Sequence, residues 1–147
     1  MTRTRELVPA GQRAALTRLL GAPVDDVVIV EFSWYAWLHH RARATTRRNS
    51  ILLAGSVGDF VADPELMLHE YYHVLRQWNR GRLTVWRYVV EWLRRGYVEN
   101  RYERHARRFA ASRLRAFQRM TSRAAARQAP ASTDPEPAMS AFSESAP

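Results

Sequence analysis

Residues 63 to 73 read Asp-Pro-Glu-Leu-Met-Leu-His-Glu-Tyr-Tyr-His. This stretch predicts the central helix of the fold, around which the other elements are expected to pack. Asp63 is a good N-cap, Pro64 suits the first helical position, and Glu65 favours the positive first turn. The pattern therefore predicts a helix from residue 64 to residue 79, which ends at Gly81.

A narrow polar stripe follows one side of this predicted helix. At roughly 100° per residue, the polar side chains that share a sector with Leu66 are His69, Glu70, His73 and Gln77. Apolar and aromatic residues cover the remainder, which is typical of a buried helix. Buried imidazole and carboxyl groups are costly without partners, and a bound metal ion would satisfy them.

His69 and His73 are one helical turn apart and can offer two imidazole nitrogens to one ion. Glu70, beside them, is placed to take a proton from a metal-bound water. A catalytic zinc site needs a third protein ligand. Glu103 is the favoured candidate because the small residues after it would let its helix approach closely, and Glu99 and His105 are the alternatives.

The other predicted elements form an α+β domain. We expect a helix from 9 to 20, strands at 27–35 and 49–55, a strand fragment at 60–61 and an exposed basic loop at 41–48. Helices at 84–95, with a core-facing apolar stripe that includes Leu93, and at 99–119 complete the domain. The fold class predicted is a short two- to three-stranded sheet packed on the His-Glu-x-x-His helix, with two further helices.

The chain divides into three parts on this interpretation. Residues 1–8 are a flexible N-terminus, residues 9–120 are the metal-binding domain, and residues 121–147, rich in Ala, Pro and Ser, are a disordered tail.

Composition limits the class of protein. The 147 residues contain no cysteine, so a metal must be held by His, Asp or Glu. No apolar run approaches the roughly 18 residues that span a bilayer, and the N-terminus has no signal-peptide core, so we expect a cytoplasmic protein. The net charge of +9 comes entirely from arginine. This positive charge is compatible with binding to a membrane surface. Nucleic acid is not favoured as a partner, because no helix-turn-helix or other nucleic-acid-binding motif is visible.

Two segments together resemble a known family. Residues 69–78 read His-Glu-Tyr-Tyr-His-Val-Leu-Arg-Gln-Trp, and an aromatic helix and Tyr97-x-x-Asn100-x-x-Glu103-x-x-Ala106 follow. This is similar to the small zincin-like metallopeptidase domains of bacteria, which carry a His-Glu-x-x-His-Val-x-x-Gln helix and a later Asn-Pro-x-Glu-x-x-Ala helix. The resemblance covers residues 50–110, and Arg101 stands where the family has proline.

The resemblance implies a glutamate-zincin site. His69, His73 and Glu103 would bind Zn²⁺, and Glu70 would be the general base. The protein would then be a zinc-dependent hydrolase, most simply a metallopeptidase acting on a peptide or protein. The alternatives are a non-catalytic zinc-binding module for a protein partner and, third, an arginine-rich binder of nucleic acid or a membrane surface.

Such a hydrolase needs further parts. A tetrahedral oxyanion requires a hydrogen-bond donor besides the metal, for which Tyr97 and Tyr102 are the first candidates and His105 and Arg76 the others. Residues 51–53, Ile-Leu-Leu, would suit an edge strand that pairs with an extended peptide.

Overall fold

The computed structural model describes residues 2–34, 43–81 and 100–128, together with residues 84, 86, 90, 91, 93 and 94. In this part of the chain the fold is α+β, as predicted, with four strands and five α-helices. The strands are β1 (Thr2–Arg3), β2 (Val28–Val30), β3 (Ala44–Arg47) and β4 (Ser50–Leu53). The helices are α1 (Thr4–Leu7), α2 (Ala10–Leu20), α3 (Val57–Val61), α4 (Pro64–Tyr72) and α5 (Arg101–Gln128), and α4 continues as a π-helical segment, His73–Trp78.

The described strands form one mixed sheet in the order β1-β2-β4-β3. β2 and β4 are parallel, and each pairs on its other side with an antiparallel edge strand. Four strands replace the two or three expected. Residues 51–53 lie in an interior strand, so the expectation that they form an edge is wrong; β3 is the edge on that side.

The predicted basic loop at 41–48 is also corrected. Residues 44–47 form β3, which is joined to β4 by a two-residue turn in which Asn49 has a left-handed φ of 57°. Asparagine tolerates that conformation, which tight hairpins require. The polar composition concealed the strand, because an edge strand needs little apolar surface and here only Ala44 is buried.

Two further local expectations differ from the structure. Residues 60–61 belong to α3 rather than to a strand. Ser56 is the N-cap of α3, and its hydroxyl accepts from the backbone N–H of Asp59. The N-terminus, expected to be flexible, pairs as β1 with β2 and buries Thr4 completely. The Thr4 hydroxyl donates to the carbonyl oxygen of Val27 at 2.8 Å and is 2.8 Å from the Tyr71 hydroxyl.

The hydrophobic core lies between the sheet, α2, α4 and α5. Helix α4 presents its apolar side to this core, where Met67, Leu68 and Tyr71 are fully buried. Helix α2 ends as predicted at Gly21, with a φ of 64° that favours glycine. On the polar stripe of α4, His69 and His73 lie against Glu103 of α5.

Helix α5 is longer than the predicted 99–119 and continues through Gln128, past the expected domain boundary. The extension packs closely on α2 at one point, since a Cβ added at Gly11 would lie 2.8 Å from the Cβ of Ala124. The predicted tail from residue 129 and most of the predicted helix 84–95 lie outside the described residues. Leu93, which is described, is 71% exposed and therefore not a core residue.

None of the described helices has the length and apolarity needed to cross a membrane.

Candidate metal centre

Helices α4 and α5 bring three metal-ligating side chains together. His69 Nε2 and His73 Nε2 are 3.0 Å apart, and they lie 3.2 Å and 3.5 Å from the two carboxylate oxygens of Glu103. His73 and Glu103 are buried and His69 is partly buried. Of the alternative third ligands, His105 is exposed and Glu99 lies outside the described residues.

The donor atoms are close enough together to converge on one zinc ion. Zinc bonds to histidine nitrogen and carboxylate oxygen are about 2.0–2.2 Å long, so neighbouring donors in a tetrahedron are separated by about 3.3–3.5 Å. His69 Nε2 and His73 Nε2 are 3.0 Å apart, and each lies nearer to a different carboxylate oxygen of Glu103, at 3.2 and 3.5 Å. With one donor atom taken from each residue, all three atoms lie within 4.8 Å of one another, so small side-chain movements would bring them to the zinc edge length. Two imidazoles and one carboxylate are also a donor set that zinc commonly takes in catalytic sites.

The electrostatics of the three side chains are coupled. Burial acts to lower the pKa of His73, but the hydrogen bond and charge of Glu103 and the charge of Glu70 outweigh it, and the pKa is raised. Burial acts to raise the pKa of Glu103, but hydrogen bonds from His69 and His73 and their charges lower it well below its usual range. Protons and a divalent cation therefore compete for the same donor atoms.

The start of α5 explains the spacing Asn-x-x-Glu. The side-chain oxygen of Asn100 accepts from the backbone N–H of Tyr102 at 2.9 Å, and its carbonyl oxygen accepts from Arg104 at 2.9 Å. Asn100 thus acts as an N-cap, and Glu103 falls in the first turn, where the helix dipole favours a carboxylate. Arg101 still begins the helix although the family resemblance has proline there.

A second layer of hydrogen bonds supports His73. Its Nδ1 is 2.7 Å from Oε1 of Gln77, and Nε2 of Gln77 donates to the carbonyl oxygen of Tyr102 at 3.0 Å. The sequence placed Gln77 on the polar stripe but gave no sign of this contact. The partner of Gln77 is the backbone carbonyl group of Tyr102, and a backbone group is present at every residue, so no residue type reveals it.

Glu70 faces the cavity beside the three ligands. It is 5% exposed and lines a cavity of about 320 Å³ with His69, Arg43 and Glu65 among the other lining residues. Burial raises the pKa of Glu70, against the opposing charges of His73 and His69, and the charge of Glu103 raises it further. A carboxyl group with a raised pKa beside a cavity has the properties of a general base.

The structure gives no direct support for the tyrosines proposed as oxyanion donors. Tyr97 lies outside the described residues. Tyr102 is buried, and its hydroxyl accepts a hydrogen bond from Arg101 at 2.9 Å, while the Arg101 guanidinium carbon lies 4.8 Å from the ring centroid. The oxyanion role of both residues stays a prediction.

Comparisons with protein-family models, with characterised proteins and with solved structures each gave no match. The geometry of His69, His73, Glu103 and Glu70 is therefore the basis for any functional argument.

Proposed function

We propose that this protein is a zinc-dependent hydrolase, and specifically a peptidase. His69, His73 and Glu103 would hold the zinc, and Glu70 would be the general base. The observation that carries the proposal is the convergence of three buried or partly buried side chains of zinc-binding type, whose donor atoms lie within 4.8 Å of one another, beside a buried carboxyl group on the adjoining cavity.

Each residue then has a defined part in the chemistry. Three protein ligands from the described residues would hold the ion in the manner of catalytic zinc sites, which keep a fourth position for water. Bound zinc would supply a Lewis acid that activates water and polarises a carbonyl group. Glu70 would take the proton of the attacking water and deliver it to the leaving amine, and its raised pKa suits both transfers.

The structure also suggests where a peptide would lie. The cavity beside His69 and Glu70 is lined by Arg43 and Ala44, at the start of β3. Because β3 is an edge of the described sheet, its outer side has backbone groups that an extended peptide can pair with. A peptide along Ala44–Arg47 would pass the catalytic residues. This replaces the pairing at residues 51–53 expected from the sequence.

Elemental analysis and a hydrolysis assay on the same preparations test the proposal. We expect about one zinc per chain in the wild type, and loss of zinc in Glu103→Ala and in His73→Ala. Glu70→Gln should keep its zinc, because Glu70 is not a ligand, and lose about 10²- to 10⁴-fold in kcat on a quenched-fluorescence peptide library.

The outcomes separate the alternatives. A wild type that takes up no zinc when refolded with it would overturn the proposal. Full activity in Glu70→Gln would remove this residue from the role of base. Zinc bound without hydrolysis of any library member would favour the non-catalytic zinc-binding module instead.

A further inference from the structure

We propose that Gln77 is a positioning residue: oriented by the carbonyl oxygen of Tyr102, it holds the His73 imidazole as the tautomer with hydrogen on Nδ1 and so directs the Nε2 lone pair to the zinc. This inference rests on the proposed zinc site. It adds a residue that shapes the site without touching the metal.

The orientation of the Gln77 amide follows from hydrogen-bond chemistry. A backbone carbonyl oxygen can only accept, so the group of Gln77 that lies 3.0 Å from the Tyr102 carbonyl must be the donating NH₂. The amide oxygen is then the atom that lies 2.7 Å from Nδ1 of His73. That oxygen can only accept, so Nδ1 must carry the hydrogen.

The consequence appears at the other nitrogen of the ring. A neutral imidazole has one hydrogen, and with that hydrogen on Nδ1 its Nε2 has a free lone pair. His73 Nε2 is the atom that faces His69 Nε2 at 3.0 Å and Glu103 at 3.5 Å. The lone pair is thus directed at the point where the three donor atoms converge. Metal-ligating histidines generally need such an outer partner for their second nitrogen.

Burial holds this arrangement in place. Gln77 is 3% exposed and His73 is 4% exposed. Reversing the amide would set its oxygen against the carbonyl oxygen of Tyr102, whichever tautomer His73 adopts, and would leave both oxygens without a donor. Each buried group left without a partner costs about 1–3 kcal/mol.

The same hydrogen bond also links the two helices of the site. Tyr102 directly precedes Glu103 in α5, and Gln77 lies in the π-helical segment that begins at His73. The chain His73–Gln77–Tyr102 therefore ties one zinc ligand to the backbone beside another. A turn of π-helix, which is frequent at functional sites, carries this contact.

Two measurements on three variants test the inference. The tautomer of His73 is read from imidazole ¹⁵N chemical shifts in the metal-free protein at alkaline pH, with exposed His105 as an internal reference. Zinc affinity is measured by competition with a chromophoric chelator. The variants are Gln77→Leu, Gln77→Glu and, as a structural control in the same turn, Leu75→Ala.

We expect the Nδ1–H tautomer in the wild type. Gln77→Leu should give a mixture of tautomers and bind zinc about 10- to 100-fold more weakly, the range found for outer-shell partners. Gln77→Glu keeps an acceptor beside Nδ1 but loses the donor to the Tyr102 carbonyl oxygen. It should therefore restore the tautomer and bind zinc more tightly than Gln77→Leu. Leu75→Ala should lower stability but leave the tautomer and the affinity unchanged.

Wild-type tautomer and affinity in Gln77→Leu would overturn the inference, and so would equal losses in Leu75→Ala, which would make the role merely structural. A wild type that binds no zinc, but whose tautomer depends on Gln77, would contradict the proposed function while upholding the positioning of His73. The two proposals can therefore fail separately.

Discussion

Two groups of opposite charges near the same helix differ in their surroundings. At the start of α4, Arg43 and Asp63 form an ion pair at 2.6 Å, with 63% and 29% of their side chains exposed. Farther along, His69, His73 and Glu103 lie at comparable distances, but 16%, 5% and 7% of their side chains are exposed. The separations are similar, and burial is what distinguishes the two groups.

This difference in burial determines how each group responds to salt and to the removal of one of its members. Water and salt screen the exposed pair, and such pairs contribute about 0–1 kcal/mol. In the buried cluster, removing one member leaves the others with uncompensated polarity, which is strongly destabilising. We therefore expect the stability of the buried cluster to depend on bound protons or a metal ion. The Arg43–Asp63 pair at the rim of the cavity should contribute little to stability.

The largest expected effect is that of zinc itself. A ligand present at about 1,000 times its Kd raises the free energy of unfolding by about 4 kcal/mol. We expect a difference of this size between zinc-saturated and chelator-treated wild type in denaturant unfolding. The gap should vanish in Glu103→Ala, because one of the three ligands is lost.

Leu68→Ala is the control for that experiment. Leu68 is fully buried on the apolar side of α4, and its truncation should cost about 2–5 kcal/mol with zinc or without it. Equal zinc stabilisation in Glu103→Ala and the wild type would place the metal elsewhere.

An intermediate effect is expected at Tyr71, which is buried but uncharged. Since the Thr4 hydroxyl donates to Val27, the Tyr71 hydroxyl is the donor to Thr4. Tyr71→Phe removes this bond and should lower the free energy of unfolding by about 1 kcal/mol at neutral pH. The partly buried Tyr72, changed to Phe, is the matched control and should have a smaller effect.

The pH dependence of the Tyr71 variant has a definite sign. Burial raises the pKa of Tyr71 above its ordinary value. The stabilisation is therefore present below the unfolded-state pKa of about 10 and is lost as the pH rises above it. The gap between wild type and Tyr71→Phe should shrink in alkaline solution. A gap that widens there would contradict this.

The same contrast explains what the sequence could predict. The polar stripe of α4, the N-cap at Asp63 and interior strand β4 have strong local patterns, and each lies near its predicted place. Of the strand predicted at 27–35, the described residues form only Val28–Val30, so its length was overestimated. The pairing of the stripe with Glu103 followed from small residues on α5 and from the family resemblance. These signals are local or one-dimensional, so the sequence carries them directly.

The remaining features depend on tertiary contacts. β1 and β3 are short edge strands whose polar residues gave no apolar alternation, and burial of Thr4 depends on Val27 and Tyr71. The support of His73 by Gln77 and the Tyr102 carbonyl depends on how α4 and α5 pack. Within the extension of α5, the close approach of Ala124 to Gly11 in α2 is a contact of the same kind. The residue pattern of a single segment does not predict contacts between segments that are far apart in the sequence.

The smallest expected effect is at the rim, where two roles of Asp63 can be separated. Its Oδ1 accepts from the backbone N–H of Leu66 at 3.0 Å as the N-cap of α4, while its Oδ2 pairs with Arg43. Arg43→Ala and Asp63→Asn both remove the ion pair and keep the cap, so each should lower the free energy of unfolding by about 0.5 kcal/mol or less. Asp63→Ala also removes the cap and should cost about 1 kcal/mol.

Denaturant unfolding at low and high salt distinguishes these roles at the rim. The small effect of Arg43→Ala should fade at high salt because exposed charges are screened, while the additional cost of Asp63→Ala should persist. Zinc content should stay at the wild-type level in all three variants, since none of them alters a ligand. If Asp63→Asn proved as costly as Asp63→Ala at both salt concentrations, the carboxylate charge would matter more than the cap. The rim would then resemble the buried cluster, and exposure could not be what separates them.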